Sequence, residues 1–380
     1  MDKRTKIGFL LLCVVFIIFI GPIVGNKLIK TSVSSLDKTD RQMITDMTTF
    51  NQSLIDNGEI WPNFNVTDYP IIAINQSKWL NRFYAFNFKK TSTIGSKELT
   101  QSNQNISVSV NRYASTYPQV IPLNLAIGNF STTGSRKTID QNKPVFFIKY
   151  NQDNFKAMPP SNQFIIFTMH EAFHFYAQKN WPDGHPNQID LTIDDLALLG
   201  LSYKLLDKLN QPNIKNDEVL SLLQEYVEVY EERQKMNPDY LKEEAKKEVI
   251  ESTASYVGRQ SGKRINKKYD ILEFENGGKP TFYEVFQAMG NGEFGTDFLI
   301  DFSLYNTGNV LANSLDKINE QQWKEHLNQN TKEKSISFYD LVKTYVNDSI
   351  HQKPLEKIKV ENDFNKIQEE ASQLYSQINQ

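Results

Sequence analysis

The sequence predicts an α+β fold, and three observations carry that expectation. Between about residues 68 and 152 the apolar residues come in short β-branched or aromatic runs broken by Gly, Asn, Pro and Ser. After Pro159-Pro160 they recur at helical spacing. The two patterns follow one another instead of alternating, which points to a sheet packed on a mainly helical half, not to a βαβ repeat. With 380 residues, 39% hydrophobic and 12% aromatic, the chain can furnish the core of one large or two ordinary domains.

The chain opens with Lys3, Arg4 and Lys6 ahead of an uninterrupted apolar run from Ile7 to Ile20. A positive flank stays in the cytoplasm, so this run reads as an export signal that sends the remainder across the membrane. Extended to Gly25 it gives about 28 Å of helix, nearly a full span. Residues 1–26 therefore read either as a cleaved signal peptide or as an N-terminal membrane anchor, with Ile23 and Gly25 making a mediocre cleavage site.

Residues 27–66 are polar and read as a stalk, with one short helix expected around LDKTDRQMITDMTTFNQSLID. Residues 67–155 read as a β-rich half, a mixed or antiparallel sheet. YPIIAI, RFYAFNF, ISVSVNRYA and PVFFIKY supply its strands. Residues 156–350 form the helical half. Its first helix is expected to be capped by Ser161, to run through Tyr176, and to stop at Asn180-Trp181-Pro182-Asp183-Gly184. More helices are expected near 192–209, 216–235, from Asn237-Pro238 to about 258, and near 281–289, 297–315, 318–329 and 336–347. Residues 351–380 read as a polar, amphipathic C-terminal helix.

Composition excludes several classes. A net charge of -3 supplies no basic field for gripping phosphate backbones, so no nucleic-acid partner is expected. The single cysteine, Cys13, lies inside the apolar run. The exported part can thus form no disulfide and no thiolate metal site, and a metal there must be held by nitrogen and oxygen. A cysteine-free exported chain rich in Asn and Lys looks bacterial, so triplets such as Asn65-Val66-Thr67 are not read as glycosylation sites.

The stretch FTMHEAFHFYAQ carries His170, Glu171 and His174. On a helix, residues four apart sit about 40° apart on one face and about 6 Å along the axis, so two imidazoles there can grip one ion. Glu171 is turned about 100° from His170, close enough to approach a water on that ion and poorly placed to be a ligand. A zinc ion with three protein ligands lowers the pKa of a bound water to about 7, and a neighbouring carboxylate can then take the proton. The alternative for such a pair is two satisfied core histidines. A third ligand is needed. His185 lies beyond the helix-ending Pro182. Glu251, in VIESTASYVGRQ, sits beside Val249, Ile250, Ala254 and Val257, and a carboxylate in a partly buried position wants a cation. Glu248, one turn earlier in the KEEAKKE run, reads as a surface residue.

His170-Glu171-x-x-His174 followed by Glu251-x-x-Ala254-x-Tyr256 resembles the gluzincin zinc metallopeptidases. The resemblance implies a zincin-like fold, one Zn²⁺ ion held by His170, His174 and Glu251, and Glu171 as general base. The sequence departs from that pattern at Ser252, where the family usually has Gly, and at Ser255, where thermolysin-like members have Asp. Asp194, Asp195 or a backbone carbonyl would then have to orient the ligand histidines. The stretch from Tyr305 to Leu327 also resembles the helix pair that follows the zinc ligands in exported members. The family implies an oxyanion stabiliser, for which Tyr305 and Tyr256 are candidates with His185 and His326 behind them. It also implies an edge strand that pairs with substrate backbone, for which residues 144–150 are the candidate. The function expected on this basis is a secreted or membrane-tethered zinc peptidase acting on a peptide or protein substrate outside the cytoplasm. The competing expectation is a non-catalytic extracellular sensor or assembly module that keeps the fold.

Overall fold

The computed structural model describes residues 3–76, 81–88, 94–99, 110–132, 144–156, 160–274, 276–318, 322–346 and 353–379. The chain is α+β and divides into two units, Met1–Tyr176 with Gln260–Lys267 and Ala177–Arg259 with Lys268–Gln380.

The first unit begins with helix α1 (Lys3–Leu28), long and apolar enough to cross a membrane by length and composition. Helix α2 (Lys38–Asn57) follows, capped by the Asp37 side chain, which accepts from the Asp40 N–H. The sheet contains β1 (Ile71–Asn75), β2 (Arg82–Phe86), β3 (Ser96–Glu98), β4 (Val110–Tyr113), β5 (Phe130–Thr132) and β6 (Phe146–Tyr150), in the order β3-β4-β2-β1-β6-β5. Between β4 and β5 lies one short helix, α3 (Ile121–Asn124). β1 runs parallel to β6 and every other pairing is antiparallel, so the sheet is mixed. Every residue of β1 and β6 is buried, which is why both read as continuous apolar runs and not as alternating ones.

Four expectations are corrected in this unit. Residues 144–150 do not form an edge, because β6 lies between β1 and β5; the outer strand is β5, too short to give a period-two signal. The segment read as a polar stalk contains α2, whose Met43, Ile44, Met47 and Phe50 are buried. The motif-bearing helix α4 (Phe164–Tyr176) belongs with the sheet and not with the helices that follow. Ser161 is not its cap. Pro160–Asn162 is a 3-10 turn, and the Gln163 carbonyl takes the first helical hydrogen bond, from Phe167. Of the stretch ISVSVNRYA, residues 106–109 lie outside the described residues.

Asp40 ties α2 to the sheet. Its buried carboxylate accepts from Asn75 (2.5 Å), Arg82 (2.5 Å), Tyr84 (2.5 Å) and Tyr150 (2.8 Å), on β1, β2 and β6. Burial and the Asp40 charge push both tyrosine hydroxyls well above their usual range, so they stay protonated donors. Asp40→Ala strands two buried hydroxyls and should cost about 3 kcal/mol, at the low end for a broken buried pair because Arg82 keeps Asp37 and reaches water. A lowered urea midpoint at constant m-value checks this.

The second unit is helical: α5 (Ile193–Leu209), α6 (Asn216–Met236), α7 (Pro238–Arg264, belonging here as far as Arg259), α8 (Phe282–Gly290), α9 (Thr307–Lys317), α10 (Trp323–Leu327), α11 (Phe338–Val346), α12 (Leu355–Glu361) and α13 (Phe364–Ile378). Local signals set several starts. The Thr192 side chain accepts from the Asp195 N–H at the head of α5, and Thr281 with Glu284 forms a capping box on α8. The expected helix over 297–315 is instead two 3-10 turns, Thr296–Leu299 and Phe302–Tyr305, ahead of α9. The C-terminal segment, expected as one helix, is two, α12 and α13. It breaks at Asp363, where φ is 57°, and buries Ile358, Ile367, Ala371 and Leu374. Its α13 packs on α5 and α8. At the centre, buried Arg233 donates to Asp195 (2.8 Å) and to both oxygens of Glu244 (2.9 and 3.1 Å).

Candidate metal centre

Helix α4 is clamped on the sheet by aromatic packing. Phe173 meets the rings of Trp61 and Phe64, each at 5.1 Å, and Phe164 meets Tyr150 at 5.2 Å. At its C-terminal end the Tyr176 hydroxyl donates to the Pro70 carbonyl and accepts from the Phe146 N–H. With Met169, Ala172 and Phe173 buried, positions 170, 171 and 174 share the other face.

On that face the Nε2 atoms of His170 and His174 are 3.0 Å apart, with the rings nearly perpendicular. Two nitrogens bound to one tetrahedral zinc at 2.0–2.1 Å stand about 3.3 Å apart, so this pair fits a shared ion with almost no movement. Burial, and after it the proximity of His174, holds His170 well below the usual imidazole range. It is therefore neutral near pH 7 and has a lone pair to give. One carboxylate oxygen of Glu171 is 3.9 Å from the same Nε2 of His170. That is too far for a hydrogen bond and leaves the carboxylate beside the pair, not between its nitrogens.

In the second unit, Glu251 and Tyr256 share α7, and the turn that carries Glu251 is held on two sides. Ser252 Oγ donates to the Leu304 carbonyl (2.5 Å). Asn309 Nδ2 donates to the carbonyls of Ser252 (3.0 Å) and Tyr305 (2.7 Å). Gln178 Nε2 donates to the Ile250 carbonyl (2.9 Å) and to Thr253 Oγ1 (2.6 Å). A Cβ on Gly308 would come within 2.6 Å of Ser252, so α9 can approach α7 this closely only with glycine there. At Ser252 the small residue of this contact is thus on the facing helix, and the serine hydroxyl adds a bond to the loop bearing Tyr305. Sequence reasoning missed Gln178, Thr307 and Asn309. The available signal was the Asn306-Thr307-Gly308-Asn309 run after Tyr305, dense in capping and turn residues.

Glu248 requires a correction, since it is not a surface residue. It is buried and accepts from Thr307 Oγ1 at 2.6 Å. Burial raises its carboxyl to about 7, with Glu244 adding to the rise and the Thr307 bond and Arg233 opposing it. Between about pH 4.5 and 7 the folded chain therefore holds a proton that the unfolded chain has released, and stability falls as pH rises through that window. Urea midpoints from pH 5 to 8 should show this slope, and Glu248→Gln should flatten it.

The remaining candidates are placed as follows. Tyr256 is buried, with its hydroxyl donating to Asp316 (2.7 Å) and its ring against Trp323. Tyr305 closes the 3-10 turn ahead of α9. His185 is a surface side chain near Asp183, and His326 contacts the Tyr345 hydroxyl at 3.3 Å. Asp194 is exposed, while Asp195 is engaged by Arg233 and Asn237. No protein-family model, curated protein or solved structure matches the chain.

Proposed function

We propose that the chain is a zinc-dependent peptidase of the gluzincin kind, with a zincin-like catalytic fold, held at the outer face of the cytoplasmic membrane by α1. The observation that carries this reading is the 3.0 Å approach of the two Nε2 atoms on α4 with Glu171 beside them. Further support comes from the sequence, where Glu251-x-x-Ala254-x-Tyr256 follows the two histidines in the gluzincin-like pattern. In this proposal the two imidazoles hold Zn²⁺ through Nε2, and Glu251 supplies the oxygen ligand. Bound zinc would polarise a peptide carbonyl and activate water. Glu171 takes the proton of the attacking water and passes it to the leaving amine. Tyr305 is the proposed donor to the developing oxyanion. Tyr256, whose hydroxyl is committed to Asp316, supports the site through the packing of α7. The proposed backbone edge for substrate is β5, whose Phe130 packs on Phe167 of α4.

Glu251→Gln tests the ligand set. Losing a partner in the outer shell of a zinc site costs about 10–100-fold in metal affinity, and losing a ligand should cost more. A competition titration with a zinc chelator on the purified full chain reads the change, and peptide hydrolysis at fixed low zinc should fall in parallel. Unchanged zinc affinity in this variant would remove Glu251 from the site and leave the histidine pair standing.

A further inference from the structure

The top of α1 is built into the sheet unit. Asn26, which is buried, donates through Nδ2 to the carbonyls of Arg112 (3.1 Å) and Gly95 (3.4 Å). Lys27 Nζ donates to the Ser96 carbonyl (2.6 Å), and Lys97 Nζ returns a bond to the Lys27 carbonyl (2.6 Å). Further down the helix, Thr116 Oγ1 donates to the Phe19 carbonyl (2.7 Å). From Lys6 to Lys27 the helix rises about 32 Å, matching a hydrocarbon core of about 30 Å. With Lys27 at headgroup level, Phe19 lies about 12 Å deeper along the helix. A loop that bonds the Phe19 carbonyl therefore reaches below the headgroups.

The residues around that loop suit this depth. A Cβ on Gly95 would strike the Tyr117 ring at 2.2 Å, so the Ile94–Gly95 turn lies against the loop, and Ile94 is 70% exposed. Asn124 Nδ2 donates to the Ser115 carbonyl (3.3 Å), which brings the next segment alongside. In that segment Ala126 packs on the core, while its neighbours Leu125 and Ile127 are 79% and 95% exposed. Outward positions flanking a buried residue are ordinarily polar, and here both are large and apolar.

The geometry points to a second membrane contact: Ile94, Leu125 and Ile127 enter the outer leaflet beside α1 and seat the sheet unit on the lipid surface. The inference rests on α1 being kept as an anchor, as proposed above, and adds that the unit is docked as well as tethered. The occupant is lipid, because the apolar residues surround a loop bonded to the membrane helix below its charged end. Lys27 and Lys97 then stand at headgroup level, where cations are favoured. Docking of this kind holds β5, which begins three residues after Ile127, close to the membrane and favours substrates presented there.

The test uses the full chain in lipid nanodiscs with an environment-sensitive fluorophore on single cysteines. The native Cys13, inside α1, reports the anchor. Leu125→Cys and Ile127→Cys in a Cys13→Ser background report the proposed contact. Ile55→Cys, on an exposed position of α2, is the water-facing control. All replaced side chains outside α1 are exposed, so the core is left intact. The expected result is blue-shifted emission at positions 13, 125 and 127 relative to 55, with quenching by nitroxide-labelled lipid at those three alone. Quenching at 13 combined with control-like emission at 125 and 127 would overturn the docking while sparing the anchor. Blue-shifted emission at 125 and 127 without lipid quenching would mean a protein covers the patch, and would overturn it as well. A Cys13 probe that behaves like the control would remove anchor and docking together.

Discussion

Glu171→Gln should leave zinc bound and remove peptide hydrolysis. The substitution keeps the size and one acceptor oxygen of the side chain and deletes only its ability to take a proton. Glu171 is 3.9 Å from His170 Nε2, half-buried on the face of α4 that carries the histidines, and the helix itself is held by its buried apolar face. A positioned base contributes about 10²–10⁴-fold to a proton-transfer step, and a loss of kcat in that range is expected with KM little changed. A chain that serves only as a sensor or assembly module would be indifferent to this substitution.

His174→Ala should cost the metal itself. One of two imidazoles whose nitrogens are 3.0 Å apart disappears, and a single histidine with one carboxylate is a weak zinc site. The helix should survive, since its packing comes from Phe164, Ile165, Met169, Ala172 and Phe173. The consequence for stability follows from mass action. A ligand at a hundred times its dissociation constant stabilises the fold by about 2.7 kcal/mol, so the wild type should melt at a lower temperature once zinc is chelated. The variant should melt at one temperature with or without the chelator, and should hydrolyse nothing in either state.

The helical elements were the most legible part of this chain because several of them announce their starts locally. Thr192, Thr281 and Pro238 mark starts that match α5, α8 and α7. The sheet was legible where β-branched and aromatic residues ran together, as in β1, β2 and β6. β3 and β5 have three residues each, too few to show a period of their own, and are defined by pairing with the next strand, β4 and β6. Partners distant in sequence explain two corrections. α2 looks polar along the chain because its buried face includes Asp40, a carboxylate satisfied by groups from three strands. Glu248 sits in a charged run yet is buried, because its partner Thr307 lies on another helix. At the candidate site the position and spacing of His170, Glu171 and His174 could be read directly, being a property of one helix. The bonds that fix the α7 turn could not, since they join residues 178, 252, 304 and 309 through the fold.

Elemental analysis of the purified full chain, run beside a peptide-hydrolysis assay before and after chelation, tests the central claim most directly. One zinc per chain is predicted, with hydrolysis that disappears on chelation and returns when zinc is restored. A wild-type chain that binds no zinc, or that hydrolyses peptides equally well without it, would contradict the account.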